Sequence, residues 1–454
     1  MAKKKKEKEE VNENNGLISK LRSVAPKGED AGTWEIASTK DLVLSAVTHV
    51  LMSGIESFDE VTGALPIGRM VELYGLESCG KTAMAIRCAA RAMDKKICEV
   101  IRNKDDTLTY RELAAHECKV LVVYIDNEQS LDEDGKLLVD GKKLDVVGCR
   151  FDTTDDMFKA IDAAIDYQEV RIEESKDDDV LRFMFIVVDT IASTTTKQEL
   201  GQAWGSVDFP RQPQQISQAL RQLTRRVNSS NTCILFTNQV RVKFQGQQQK
   251  SGPQTFSIQA SDYSSPGGMA LKYYATLRVF VYAMNQKYKL VPEAKFSAGF
   301  LIGFHTVKNR LRPPQRDGRM VLLFDKKQGG LNDDFSKLET LVFLGFIEVG
   351  SKEKHIDYTL KFKSNGIIPT TFEQSKIEST LEEDEETPVA KRGNSRKDPG
   401  FRCRSEWPQF YINHRKDIEL LWDVAIIYAM ACEGLEGSIQ VDEVDEITTK
   451  IAED

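Results

Sequence analysis

The sequence predicts an α/β protein with a mostly parallel central sheet covered by helices, and two observations carry that expectation. Between Trp34 and about Gly330, short apolar runs alternate with helical stretches, the order that lets strands pair in parallel through crossovers. A glycine-rich turn at 75–82 joins the first of these runs to a helix, a strand–loop–helix unit in itself. The runs are 70–74 (MVELY), 120–125 (VLVVYI), 183–188 (FMFIVV), 233–237 (CILFT) and 277–281 (LRVFV). Each is nearly continuous in apolar content, as a strand buried on both faces should be.

Composition bounds the rest. The 454 residues suffice for one large core and one or two smaller domains. Apolar residues are 41% and charged residues 29%, an ordinary balance for a chain that buries a core. No apolar stretch approaches the ~18–20 residues of a membrane span, and the opening MAKKKKEKEE has no signal-type apolar run behind it. A soluble, cytoplasmic protein that meets no membrane is the expectation. Eight cysteines (Cys79, Cys88, Cys98, Cys118, Cys149, Cys233, Cys403, Cys432) include no CxxC pair, and five histidines are scattered, so neither a zinc site nor a redox pair is indicated. Reduced thiols acting as small core residues fit better. The net charge of −8 argues against coating DNA by bulk attraction, although phosphate contacts are counted at an interface.

Three segments follow. Residues 1–33 form a charged tail with one apolar patch at Leu17, Ile18 and Leu21, read as a short helix. Residues 34–330 form the core. Residues 331–454 form a small α/β domain, broken by a charged insertion at about 373–404 and ending in an apolar helix (418–430) and an acidic tail. Inside the core, 99–117 is charged, and 245–265 is rich in Gln, Ser and Gly, the composition of a mobile loop. There is no internal repeat.

Gly75-Leu76-Glu77-Ser78-Cys79-Gly80-Lys81-Thr82 fits G-x-x-x-x-G-K-[ST] at every fixed position. Glycines let backbone N–H groups turn inward onto phosphate oxygens at a helix N-terminus that already favours anions. Lys81 would bridge the β- and γ-phosphates, Thr82 would hold Mg²⁺, and Ala83 follows in the helix. Asp189 ends the 183–188 run, where an ionised carboxylate needs a cation or donors, and would support the metal through water. A water-activating carboxylate should end a neighbouring strand. Glu128 is the candidate and Asp126 the runner-up, which strand alternation could turn the other way; an N-cap or surface turn is the bland alternative for Glu128.

The residues resemble a known family. The phosphate loop, preceded by Leu65-Pro66-Ile67-Gly68-Arg69, is similar to that of the bacterial RecA core. The likeness continues through Tyr124-Ile125-Asp126-Asn127-Glu128, Val187-Val188-Asp189-Thr190 and Thr237-Asn238-Gln239-Val240-Arg241-Val242-Lys243. It ends with residues 266–275 (PGGMALKYYA) and Val307-Lys308-Asn309-Arg310. These blocks stand in the family's order over roughly three-fifths of the chain. Trp407-Pro408-x-Phe410 is similar, more weakly, to phage recombinases of the UvsX kind, which would make the source a phage.

The resemblance implies a RecA-like phosphate-loop ATPase core, with ATP and Mg²⁺ as cofactors. It also implies helical filaments on single-stranded DNA, pairing with double-stranded DNA, and a role in recombination and repair. Single-strand-binding or mediator proteins are further partners it suggests, and the 1–33 helix would serve oligomerisation. Glu128 resembles the carboxylate that orients water, and Gln239 the γ-phosphate sensor, an amide that bonds phosphate without titrating. Lys308 and Arg310 resemble the basic pair that reaches the nucleotide of the adjacent subunit, with Lys272 and Tyr273 at that boundary; without the family they would be an ordinary charged hairpin. Asp132 resembles an ATP contact.

The resemblance also places the DNA contacts. Arg241 and Lys243 would meet phosphates while Val242 and Phe244 wedge between bases, with Gly267 and Gly268 as backbone donors. In a first loop at 201–211 Phe209 would insert, and the helix after it carries Ser217 and Arg221. The bland alternative for Val242 and Phe244 is a strand continuing into the core. Two departures stand out: Gln214 replaces an arginine, and the adenine-stacking tyrosine would fall near Gly135. A ring-forming ATPase on the same fold, such as a replicative helicase or clock-type regulator, is the competing reading, and a scaffold that has lost hydrolysis is a third. The blocks after Gln239 separate the first reading from both.

Overall fold

The computed structural model describes residues 47–103, 108–129, 146–175, 179–200, 212–242, 270–291, 294–324, 330–352, 355–360 and 404–416. Lys20 and the short pieces 138–139, 142–143, 263–264, 400–401, 418–419 and 422 complete them. The chain divides into two units, Met1–Thr48 and His49–Asp454. Of the first, only Lys20 and residues 47–48 are described; everything below concerns the second.

Its strands run β1 (His49–Leu51), β2 (Leu65–Pro66), β3 (Met70–Gly75), β4 (Ile97–Arg102), β5 (Leu108–Glu112) and β6 (Cys118–Asp126). Next come β7 (Leu138–Val139), β8 (Lys142–Lys143), β9 (Val147–Cys149), β10 (Leu181–Asp189), β11 (Thr232–Gln239), β12 (Arg241–Val242) and β13 (Tyr263–Ser264). The later strands are β14 (Leu277–Tyr288), β15 (Gly299–Lys308), β16 (Asp317–Leu323), β17 (Gly330–Asn332), β18 (Ile347–Lys352), β19 (His355–Leu360) and β20 (Gly400–Phe401). The helices are α1 (Glu56–Thr62), α2 (Lys81–Met93), α3 (Thr154–Glu173), α4 (Lys197–Leu200) and α5 (Gln212–Ser229). They continue with α6 (Ala270–Tyr274), α7 (Asp333–Phe343) and α8 (Trp407–Asn413).

The main sheet has nine strands in the order β17-β16-β15-β14-β3-β11-β10-β6-β9. From β14 to β9 every pairing is parallel; from β14 to β17 every pairing is antiparallel. All five apolar runs of the sequence became strands of the parallel part, and β10 shows why. Phe183, Phe185 and Val187 enter one core with Ala85, Cys88 and Ala89 of α2. Met184, Ile186 and Val188 enter another with Ile161 of α3 and Leu220 of α5. Both faces of the strand are covered, so alternation has no polar side to display. Each fully buried Phe or Val contributes about 1.5–3 kcal/mol relative to exposure.

The charged stretch 99–117 has its own solution. β4 and β5 pair antiparallel and join a small sheet of order β2-β1-β4-β5. Its charges meet across the strands: Arg111 lies 2.9 Å from Glu99 and 3.1 Å from Glu117, and Lys96 lies 2.6 Å from Glu112. An antiparallel hairpin with one face in water tolerates such a composition.

Beyond β17, α7 is capped by the Asn332 side chain, which accepts from the Phe335 amide. Phe335, Leu338 and Leu341 of this helix share a core with Leu301 and Val321 of the main sheet and with Trp407 and Phe410. The Trp407 indole N–H donates to the Asp334 carbonyl at 2.8 Å. The predicted insertion at 373–404, apart from residues 400–401 and Arg404, and most of the 418–430 helix lie outside the described residues. The six described cysteines are free, five of them buried. Among the described residues no helix is long and apolar enough to cross a membrane.

Candidate active site

Parallel strands deliver their carboxyl ends to one edge of the sheet, and register then decides which residues meet there. Gln239 of β11 sits opposite Gly75 of β3, and Asp189 of β10 opposite Asp126 of β6. Residues 75–82 follow β3 directly. A β-carbon on Gly75 would stand 1.9 Å from the Val281 carbonyl oxygen, so only glycine lets the loop leave the sheet here. Gly80 caps α2 at φ +90°, the left-handed region, where a side chain would also strike Ile302.

Lys81 begins α2 with its side chain folded back over the loop. Its ammonium donates to the carbonyls of Gly75 at 3.1 Å and Leu76 at 2.6 Å. The Cys79 thiol also donates to the Leu76 carbonyl, at 2.9 Å, and burial raises its pKa despite the neighbouring Lys81. Glu77 and Ser78 are exposed, while Thr82 and Ala83 are half-buried.

The carboxylates divide by position. After β6, the amides of Asn127 and Glu128 both donate to the Asp189 carbonyl, at 2.8 and 3.2 Å. That bend carries Glu128 to the cleft, where its carboxylate accepts from the Gln239 amide at 3.0 Å. Burial, and then the Asp189 charge, push the Glu128 pKa upward; Lys81 and the Gln239 bond pull it part-way back. Asp126 is buried and paired with Arg150 at 3.1 Å. Asp189 is 1% exposed, and its carboxylate accepts from the hydroxyls of Thr237 at 2.5 Å and Tyr124 at 3.0 Å. Alternation along β11 explains the sharing. Thr237 and Gln239 face Asp189 and Glu128, while Asn238 between them points the other way, to Glu72 at 3.0 Å.

Glu72 leads to a buried ion pair. Arg278 of β14 meets it at 2.5 Å, with side-chain exposures of 7% and 0%, and the guanidinium lies over the Tyr74 ring at 4.6 Å. Neither partner announces itself in sequence, because they stand 206 positions apart.

The cleft holds about 540 Å³ and is lined by residues 77–82, Glu128, Gln239, Phe300, Ile302 and Leu322. The last three are functional candidates that the sequence reading missed. They come from β15 and β16, more than 200 positions downstream, and nothing in their local pattern marks them. Phe300 is 36% exposed and stands edge-to-face against Phe324 at 4.7 Å. The cleft thus has a polar end, made of loop amides, Lys81, Glu128 and Gln239, and an apolar wall.

The donor set suits a hard cation held chiefly by a ligand. Among the described residues no three His, Cys, Asp or Glu converge; of the two residues expected to hold Mg²⁺, Thr82 lines the cleft and Asp189 does not. Both oxygens of Asp189 already accept hydroxyl bonds.

The remaining candidates lie outside the cleft lining. Lys308, at the end of β15 and opposite Arg278, donates to the carbonyls of Lys272 at 3.0 Å and Tyr273 at 2.7 Å. Burial, then the charges of Arg310 and Arg278, lower its pKa to about 8. Arg310 is exposed, and so is Tyr273, at 66%. The loop between them is fixed. Buried Asn309 donates to the Thr62 carbonyl at 2.8 Å and accepts from the amides of Leu311 and Arg312.

On α5, Ile216, Leu220, Leu223 and Val227 are buried at helical spacing, which leaves Gln214 and Arg221 exposed and Ser217 half-exposed. Arg226 is drawn to Asp162, Asp166 and Glu169 of α3, and so is already neutralised. Arg241 and Val242 form β12, antiparallel to β13. Asp132, Phe209, Lys243, Phe244, Gly267 and Gly268 lie outside the described residues.

Comparison with known proteins gives the same direction throughout. The family described as RecA N-terminal domain matches residues 106–329, a span that begins after the phosphate loop. Protein RecA of Petrotoga mobilis is 28% identical over 353 residues, covering 70% of this chain and 81% of the relative. Protein RecA of Thermotoga maritima is 26% identical over 325 residues, covering 70% and 75%. Protein RecA of Rhodopseudomonas palustris is 28% identical over 295 residues, covering 64% and 67%.

Proposed function

We propose that this chain, a RecA-type recombinase by its likeness to the RecA N-terminal domain and to protein RecA of several bacteria, is a DNA-dependent ATPase that assembles as filaments on single-stranded DNA and exchanges strands with a homologous duplex. The observation that carries this reading is the contact between Gln239 and Glu128 at the rim of the phosphate loop. An amide that holds the water-orienting carboxylate, and is followed within two residues by β12 and the proposed DNA loop, joins hydrolysis to DNA contact in a few ångströms of chain.

Chemistry follows from the placement. The amides of 76–82 take the phosphates, and Lys81 exchanges its bonds to Gly75 and Leu76 for phosphate oxygens. Thr82 and Asp189 are the groups that would hold Mg²⁺, which supplies charge neutralisation between the phosphates when bound. Glu128, its pKa raised by burial and by the Asp189 charge, accepts a proton from water aimed at the γ-phosphate. Gln239 orients that carboxylate and has a second amide atom for the phosphate. Phe300, Ile302 and Leu322 face the open side of the loop and offer apolar surface to a purine. Lys308 and Arg310 act on the nucleotide of the neighbouring protomer, and Tyr273 docks at the same boundary.

DNA contact falls to Ser217 and Arg221 on α5, to Phe209, and to Arg241, Val242, Lys243 and Phe244, with Gly267 and Gly268 as amide donors. Cations on the backbone and apolar side chains between bases are a sound way to hold a stretched strand. Electron microscopy of the protein on single-stranded DNA with a slowly hydrolysed ATP analogue tests the class. Helical filaments are the expected result; closed rings would move the protein to the helicase or clock type.

A further inference from the structure

The hairpin β4–β5 is the part of the ATPase core to which neither the sequence nor the proposed mechanism gives a task. Its charges are spent on one another, and Tyr110 falls on the face opposite Arg111. That tyrosine meets the loop after Lys308. The Arg312 guanidinium lies over the Tyr110 ring at 5.8 Å and bonds Glu60 of α1 at 3.2 Å. Gly63, which ends α1 at φ +76°, has Leu311, Arg312 and the Tyr110 hydroxyl all within 3.4 Å of the place a β-carbon would occupy. Three elements therefore converge on the Asn309 turn, residues 309–312: the end of α1, the end of β15, and β5.

We propose that Tyr110 is a positioning residue for the basic pair, clamping the 309–312 loop against α1 so that Lys308 and Arg310 are presented to an adjacent protomer at a fixed place. The inference rests on the reading that these two residues act across a subunit boundary. Arg310 is exposed and makes its approach from a short loop. Asn309 and Arg312, on its two sides, are the loop's anchors. Asn309 is secured by backbone bonds alone. Arg312 is a long side chain whose direction depends on Glu60 and on the aromatic face beneath it. Without the ring, the guanidinium loses the aromatic face beside its Glu60 bond, and the loop gains freedom where the neighbour's phosphates require a fixed cation.

The test uses the full-length protein with single-stranded DNA. Tyr110→Ala should bind a fluorescent ATP analogue as the parent does, since the phosphate loop is untouched. Its DNA-stimulated kcat should fall between about ten- and hundredfold, the loss associated with a misplacement of the order of an ångström, while KM for ATP stays the same. Tyr110→Phe keeps the ring and should retain kcat. Mixing then separates positioning from general damage. Lys81→Ala protomers carry an intact basic loop, so co-assembly with Tyr110→Ala should restore part of the activity, as it should for the Lys308→Ala/Arg310→Ala double variant.

Unchanged kcat in Tyr110→Ala overturns the proposal, and so does a loss that mixing leaves in place while the double variant recovers. Recovery by neither overturns the trans reading itself, and the proposal with it. Should Tyr110→Ala fail to fold, Arg312→Gln, which removes the cation from the ring, takes its place in the same mixtures with the same expected recovery.

Discussion

Glu128→Gln isolates the chemical step better than any other substitution. The variant keeps an amide oxygen where the carboxylate accepts from Gln239 at 3.0 Å, so the contact that shapes the rim persists. It loses the negative charge and the ability to take a proton. A positioned general base contributes about 10²–10⁴-fold, which at 1.36 kcal/mol per tenfold is about 3–5 kcal/mol of barrier. ATP affinity and assembly on DNA should be retained, because Lys81 and the loop amides are unchanged. Stability should move the other way. The folded-state pKa of Glu128 lies above its ordinary 4.5, so the folded protein binds the proton more tightly than the unfolded chain does. That group favours folding at low pH, and its contribution is lost as pH rises through the raised pKa. Removing the charge should therefore raise the unfolding midpoint at neutral pH, and parental activity should fail on acidification earlier than an ordinary glutamate would require. Steady-state hydrolysis with and without DNA, nucleotide titration and thermal unfolding measure all three. Hydrolysis at the parental rate would refute the reasoning and return Asp126, now paired with Arg150, to consideration.

Two further outcomes follow from the same geometry. In the free protomer Lys308 has a pKa near 8, so assembly-limited hydrolysis should decline as pH rises through that value, and Lys308→Arg, which keeps its charge, should lose this alkaline limb. The stability sign is opposite to that of Glu128: the folded pKa lies below the ordinary 10.5, so stability from this group increases between pH 8 and 10.5; an alkaline limb that survives in Lys308→Arg belongs to another group. Arg278→Ala leaves Glu72 buried without its cation and should cost about 3–5 kcal/mol in urea unfolding, whereas Arg278→Met combined with Glu72→Leu should recover most of that loss. A single-variant cost under about 1 kcal/mol would mean that Glu72 has other compensation.

What could be read from the sequence had a local cause. The five parallel strands were legible because burial on both faces forces continuous apolar runs, and the phosphate loop because two glycines and a lysine are required by its own backbone path. Alternation alone does not separate Glu128 from Asp126, which stand two positions apart; the structure parts them by a bend after β6, with two amides on one Asp189 carbonyl. The antiparallel half was silent. β15 and β16 have faces of different character, and their register is fixed by partners far along the chain, so Phe300, Ile302 and Leu322 carried no signal that could place them beside residue 80. The same holds for Arg278, an arginine inside an apolar run whose meaning depends on a glutamate in another strand. The charged stretch 99–117 gave its composition but not its shape, because cross-strand ion pairs look in sequence like any surface.

The two lysines on which the mechanism turns share an arrangement that explains why such a site waits for ligands instead of assembling around them. Lys81 gives its donors to the carbonyls of its own loop, and Lys308 gives its donors to the last carbonyls of α6, beside exposed Tyr273. Neither ammonium is idle, so a phosphate gains from each only the difference between a charge-assisted bond to an anion and a bond to a neutral carbonyl. A typical bond of the latter kind nets about 0.5–1.5 kcal/mol, and one to a charged group about 1.5–3. The exchange is favourable but modest, and it has a structural consequence at each place. At Lys81 it opens the loop that the nucleotide must occupy. At Lys308, on the proposed reading, it would uncap α6, so that the end of that helix and Tyr273 would be held one way before a neighbour's nucleotide arrives and another way after. Linkage would make the effect reciprocal: if docking through Tyr273 presents Lys308 more readily, a neighbour's nucleotide that takes Lys308 tightens the docking by the same factor.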